Sequence, residues 1–397
     1  MEETLETKSE LALNALLEIT QSINSNLPEN DLYKIYKFTL IANLKVQKLA
    51  LYVPDQKSWY CKAYFGTENV PAIVDSFDDL LGRLDRSGIL TGCSDAIVKG
   101  FTTVFPIHHK DKLLALVLID STNGVNITFL KAITNILMVA IENKKFAREK
   151  IIQEAYKKEL EIARNVQNFL FPKQLPKSSR LRIEAVYLPH RDIGGDYYDY
   201  IPLSEDRFII CIADVSGKGV PAALLMSNFQ ASLRVLVRKT ENLKELVREL
   251  NYSTSVNGDS EHFITFFMGL YDFKDATFQY VNCGHNPSVI FKNGEVIILD
   301  EGTTILGIFD PLPFLESKKI ENLTDFTFFG YTDGLTEAFN DQGDQFGFER
   351  YLGTLKTNVK QNLKIVHQLV FNELDKFRNE TPYGDDITMI SCQVSGK

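Results

Sequence analysis

Four short acidic stretches stand out in the last part of this 397-residue chain: Gly194-Gly195-Asp196-Tyr197-Tyr198-Asp199, Asp214-Val215-Ser216-Gly217-Lys218-Gly219, Thr332-Asp333-Gly334 and Gly384-Asp385-Asp386. Each falls at the end of a strand-like run or in the turn beside it. RFIICIA leads into Asp214, FTFFGYT leads into Asp333, and Asp385 and Asp386 precede ITMISCQV. A carboxylate at the lip of a buried strand suffers desolvation unless a positive charge faces it. Only Arg191 and Lys218 supply cations near these stretches. Carboxylates without matching cations point to a bound metal, and oxygen-only ligands select hard ions such as Mg²⁺ or Mn²⁺. Turn-forming Asp and Gly would explain any one stretch, but four in the same kind of position favour a shared site. The calcium loop pattern D-x-[DN]-x-[DN]-G is absent.

Three zones must position these residues. Residues 1–141 read as a small α+β domain. Helical spacing runs over 11–23 and 32–44, strands over 48–53 and 58–65, a hairpin over 101–107 and 113–120, and an apolar helix over 125–141. Residues 142–172 form a helical linker. Seven Lys/Arg and five Glu lie between 142 and 164, with one apolar stripe at Ile152, Tyr156, Leu160, Ala163, Val166 and Leu170. Such a stripe needs cover, either a two-stranded coil between protomers or a helix lying back on its own domain. Residues 173–397 carry strands at 181–188, 207–213, 263–271, 278–283, 288–291, 326–331 and 387–394. Helices fall at 221–237, 346–355 and 363–377, so the expected form is a β-sandwich flanked by helices.

Composition limits the function classes. With 43 basic and 52 acidic residues the formal net charge is −9, which argues against nucleic-acid binding. Hydrophobic residues at 44% and charged residues at 24% fit a soluble globular chain, not a disordered, collagenous or disulfide-stapled one. The acidic start MEETLETKSE is unlike a secretory signal, and the greasy run 129–141 is broken by Lys131, Thr134 and Asn135, so neither export nor a membrane span is expected. Five cysteines without a CxxC pair read as free thiols in a reducing cytoplasm. His285, Thr265, Phe266 and Trp59 read as bracing or core residues, and Tyr64, Phe65, Phe77 and Phe101 as core of the first zone.

The stretches GGDYYD (194–199), ADVSGKGVPAALLM (213–226), NCGHNPSVI (282–290), YTDGLTEA (331–338) and GDDIT (384–388) occur in an order that resembles the SpoIIE/RsbU branch of the metal-dependent PPM (PP2C-like) serine/threonine phosphatases. EIARNVQNFLFP (161–172) resembles the helix entering that domain, and residues 1–141 resemble a GAF sensory domain in strand order and length. The resemblance implies an αββα sandwich of the PP2C type and two Mn²⁺ or Mg²⁺ ions. By motif, Asp214 would bridge the ions, the Val215 carbonyl would bind one, and Asp333 and Asp385 would complete the set. Asp196 would be a ligand or anchor a water, and Asp386 stands beside Asp385 as the alternative ligand. Gly217 and Lys218 are candidates for contacting substrate phosphate. Ser216 stands where animal relatives carry a histidine, so a histidine acid is excluded there.

The activity implied is hydrolysis of a phosphoserine or phosphothreonine by a metal-activated water. The implied substrate is a phosphoprotein, typically an anti-sigma-factor antagonist of STAS fold. Control would come from the N-terminal domain, and a homodimer would form through that domain and the linker. The rival reading is a ligand-sensing dimeric regulator whose phosphatase domain is vestigial.

Overall fold

In the computed structural model, residues 2–44, 46–55, 57–67, 70–83, 90–91, 100–120, 126–257 and 262–396 are described. Val125 and Cys93, both used in the sequence reading, lie outside them. The chain divides into two compact units, Met1–Ala155 and Tyr156–Lys397.

The first unit begins with α1 (Glu2–Asn24) and α2 (Glu29–Leu44), followed by β1 (Lys48–Asp55), β2 (Ser58–Phe65), β3 (Ile73–Val74), α3 (Asp78–Leu81), β4 (Leu90–Thr91), β5 (Thr103–His109) and β6 (Lys112–Asp120). The strands form one antiparallel sheet in the order β3-β2-β1-β6-β5-β4. Alternation along β1 divides its side chains between two cores. Leu49, Leu51 and Val53 meet α1, α2 and the start of α4 (Ile127–Gln167), while Ala50 and Tyr52 join Trp59, Phe77 and Phe101 on the other face. Trp59 is therefore core, whereas Tyr64 is exposed. The apolar helix and the charged helix read separately from the sequence are one continuous α4, and the division between units falls within it. On its charged stretch Ile152, Tyr156 and Val166 are exposed, while Leu170 packs against the core of the second unit.

The second unit contains β7 (Leu181–Leu188), β8 (Tyr197–Pro202), β9 (Arg207–Val215), α5 (Val220–Leu236), α6 (Leu243–Asn257), β10 (Ile264–Asp272), β11 (Thr277–Cys283), β12 (Ser288–Lys292), β13 (Glu295–Leu299), β14 (Gly302–Thr303), β15 (Lys318–Ile320), β16 (Phe326–Tyr331), α7 (Asp333–Thr336), α8 (Phe348–Asn358), α9 (Leu363–Arg378) and β17 (Ile387–Val394). One sheet runs β14-β11-β10-β9-β8 and the other β13-β12-β16-β17-β7. β9 shows why the layers stack. Phe208, Ile210 and Ile212 face the core between the sheets, and Ile209, Cys211, Ala213 and Val215 face the core under α5 and α6. β16 and β17 divide in the same way between the inter-sheet core and the one under α8 and α9. The result is helices, sheet, sheet, helices. α5 starts with a proline in its first turn, where the missing N–H costs nothing, and the Asn362 side chain caps α9 by accepting from the Lys364 N–H at 3.0 Å.

Candidate metal centre

The ends of β9 and β16 and the starts of β8 and β17 bring the acidic stretches to one edge of the sandwich. Asp214 lies within β9 opposite Thr265 of β10. Asp196 immediately precedes β8, Asp333 is the first residue of the single-turn α7, and Asp385 and Asp386 immediately precede β17. Asp196 is buried, and the other four are half-buried.

Two threonines not singled out by the sequence reading hold Asp196. Its Oδ2 accepts the Thr332 hydroxyl at 2.8 Å and the Thr388 hydroxyl at 2.5 Å. Thr332 in turn accepts the Thr388 N–H at 2.8 Å, which locks the end of β16 to β17. The available sequence signal was a threonine beside Asp333 and another inside GDDIT, each next to an otherwise apolar strand.

Asp386 uses both carboxylate oxygens on backbone: Oδ1 accepts the His190 N–H and Oδ2 the Gly195 N–H, each at 2.7 Å. The close approach explains the paired glycines. A Cβ on Gly194 would stand 2.0 Å from Asp386 Oδ2, and one on Gly195 would stand 2.7 Å from the Val215 carbonyl oxygen. Asp385 pairs with Lys218, Nζ to Oδ2 at 2.8 Å, and Lys218 also donates to the Gly384 carbonyl at 2.7 Å. Lys218 is carried on a loop that turns at Gly217, whose φ of +91° suits glycine. Ser216 ties that loop to the chain before β10, its hydroxyl accepting the Phe263 N–H at 2.8 Å. The second aspartate of GGDYYD points elsewhere. Asp199 is fully buried and receives Arg234 Nε at 2.9 Å and Nη2 at 2.8 Å, together with the Tyr197 hydroxyl. His285 braces its loop: its ring Nδ1 meets the Thr265 hydroxyl at 2.7 Å, and its N–H donates to Asn282 Oδ1 at 2.7 Å.

The electrostatics are those of an acid-rich edge short of cations. Burial, followed by the charges of Asp333, Asp385 and Asp386, pushes the Asp214 carboxyl up to about 7, against a hydrogen bond with Asp196. Burial and then Asp214 raise Asp196 well above the usual carboxylate range. Each of these two neighbouring carboxylates makes it harder for the other to ionise. Burial, then Glu337 and Asp385, raise Asp333 to about 6. Among the described residues no three His, Cys, Asp or Glu side chains are gathered tightly enough to ligate one ion. The carboxylates are electrostatic neighbours, and Lys218 pairs with one of them, Asp385. The donor chemistry nonetheless suits a hard divalent cation: every candidate ligand is an oxygen, and a cation would relieve the repulsion among these carboxylates.

The comparisons bear on this edge. Residues 204–395 match the family model described as Stage II sporulation protein E (SpoIIE). The match takes in just under half of the chain. Asp214, Asp333, Asp385 and Asp386 lie inside the matched span, and Asp196 lies just before it. Protein IcfG of Synechocystis is 32% identical over 263 residues, covering 59% of this chain and 41% of that protein. Phosphoserine phosphatase RsbU of Bacillus subtilis is 31% identical over 194 residues, covering 48% of this chain and 57% of that protein. The chain thus spans about half the length of these curated relatives. The SiaA-PP2C domain of Pseudomonas aeruginosa superposes with a TM-score of 0.55 at 20% identity, covering 62% of this chain and 99% of that one. The second unit therefore has the PP2C fold, in agreement with the sandwich expected from the sequence.

Proposed function

We propose that the chain is a metal-dependent phosphatase that hydrolyses a phosphoserine or phosphothreonine on a protein partner. The observation that carries this reading is the acidic edge, where the Asp196–Asp214 pair, Asp333 and Asp385 crowd together with Lys218 as their cation. The printed name of RsbU, a phosphoserine phosphatase, supports the reaction class. Asp214, the Val215 carbonyl, Asp333 and Asp385 would hold two Mn²⁺ or Mg²⁺ ions, with Asp196 a further ligand or the anchor of a water. When bound, such ions supply a nucleophile of lowered pKa and offset the charge of the phosphoryl oxygens.

The chain's own residues do the rest. Thr332 and Thr388 aim Asp196. Asp386, each of whose oxygens accepts one backbone N–H, serves as a clamp, and Asp385 is taken as the ligand. Lys218, on the glycine turn at the open side, is free to move from Asp385 to a substrate phosphate, and the Gly217 backbone lets that phosphate approach closely.

The first unit is proposed to be a GAF-like sensory domain, on the strength of its antiparallel sheet with α1, α2 and α4 on one face. The exposed α4 stripe supports a homodimer. A STAS-type anti-sigma-factor antagonist as substrate follows from the family resemblance alone. A cytoplasmic setting fits the lack, among the described residues, of a helix long and apolar enough to cross a membrane. The alternative, a dimeric sensor with a vestigial phosphatase domain, is favoured by the spacing of the carboxylates, no three of which, among the described residues, are gathered tightly enough to ligate one ion.

Hydrolysis of an aryl phosphate with and without Mn²⁺, for wild type, Asp214→Asn and Asp333→Asn, separates the two readings. The enzyme reading expects Mn²⁺-dependent turnover that falls more than about 100-fold in either variant. Equal turnover in the variants defeats it, and no turnover in wild type favours the sensor.

A further inference from the structure

Between residues 151 and 170 of α4 and the turn after it, Gln167 is the only buried residue. Its side-chain nitrogen donates to the Gly194 carbonyl at 2.7 Å. That carbonyl belongs to the same peptide unit as the Gly195 N–H, which donates to Asp386 Oδ2 at 2.7 Å. One peptide plane is thus gripped at both poles, by an amide from the helix and by a carboxylate from the start of β17. Glycine on both sides leaves this plane little intrinsic barrier to rotation. If it turned over, the carbonyl oxygen would face the Asp386 carboxylate, and Asp386 would lose its N–H. The same glycines abut the Val215 carbonyl and the Tyr187 hydroxyl, and Asp196 follows directly.

We propose that Gln167 is a positioning residue for the acidic edge: by holding the Gly194 carbonyl it fixes the Gly194–Gly195 plane, and with it the places of Asp386, Val215 and Asp196. The inference rests on the metal reading above and deepens it by making the end of α4 part of the metal site's support. A nearby bond provides a control. Gln230 Nε2 donates to the Leu170 carbonyl at 3.3 Å, steadying the same chain end without reaching Gly194.

The test is Mn²⁺ titration calorimetry on the full chain, with thermal melts in parallel. Gln167→Met keeps the shape and removes the donor, and Gln167→Glu replaces the donor with an acceptor. Both are expected to weaken Mn²⁺ binding on the order of tenfold, with Gln230→Met unchanged. In the wild-type chain, hydrogen exchange over 190–196 is expected to be slow, and faster in the Gln167 variants. Wild-type Mn²⁺ affinity in both Gln167 variants overturns the proposal. So does equal weakening in Gln230→Met, or fast exchange over 190–196 in the wild type, a readout available even if no variant folds. Asp214→Asn keeps the two ideas apart: if it binds Mn²⁺ as wild type does, the metal reading itself fails.

Discussion

Replacing Arg234 with Met tests how β8, the strand that follows Asp196, is held in place. Asp199 on β8 is fully buried, and its carboxylate is bound in bidentate fashion by Arg234 of α5. Burial already raises the Asp199 carboxyl despite that partner. Without Arg234 the buried charge is uncompensated, a loss of about 3–5 kcal/mol where the charge must stay. The carboxyl can instead take up a proton, which sets a ceiling. From a usual value near 3.9, protonation at pH 7 costs about 4 kcal/mol, and at pH 5 about 1.5 kcal/mol. The sign follows from proton counting. With a raised folded-state pKa the native variant binds more protons than the unfolded chain, so its stability falls as pH rises through the window between the two values. Arg234→Met is therefore expected to destabilise by about 3 kcal/mol at pH 7 and by roughly half that or less at pH 5. Adding Asp199→Asn to Arg234→Met should recover much of the loss at pH 7 and flatten the pH dependence. Calorimetry reads the second unit's transition, and fluorescence of Trp59, the single tryptophan, marks the first unit's. A penalty equal at both pH values, or below about 1 kcal/mol at pH 7, would refute the reasoning.

Three further outcomes are expected. Ile152→Glu with Tyr156→Glu should convert a dimer to a monomer in light scattering; unchanged mass would place the interface elsewhere. Burial lowers the His367 ring to about 4, so its neutral form is native. Its contribution is present above 6.5 and is lost as pH falls from 6.5 towards 4, about 2 kcal/mol by pH 5; a His367→Gln variant should melt with a smaller drop between pH 7 and pH 5. Lys218→Met should tighten Mn²⁺ binding, by freeing Asp385, while raising KM for a phosphopeptide; weaker Mn²⁺ binding would argue against competition at Asp385.

Much of this molecule was legible in its local patterns. β9 reads as a central strand because apolar residues on both of its faces need two cores, and the structure supplies both. β7, β16 and β17 begin and end where the sequence reading put them. Strand β8 was missed because its polar tyrosines and aspartates look like a loop until Arg234 and Tyr197 satisfy Asp199. α6 was missed because its polar face, from Lys244 to Asn257, hides the few leucines that pack under the sheet. The single α4 was read as two helices because its composition changes from apolar to charged while its backbone does not.

Residue type and spacing alone determined that acidic residues would stand at strand ends, since a carboxylate beside a buried strand has few other roles. The partners of each aspartate were decided only by the fold. Asp386 spends both oxygens on His190 and Gly195, Asp199 turns away to Arg234, and Thr332, Thr388 and Gln167 acquire roles through partners 136, 192 and 27 residues distant. The physical reason is that a hydrogen bond is directional and short, so the worth of a polar side chain is set by what the chain brings within 3 Å of it, information that no local pattern contains.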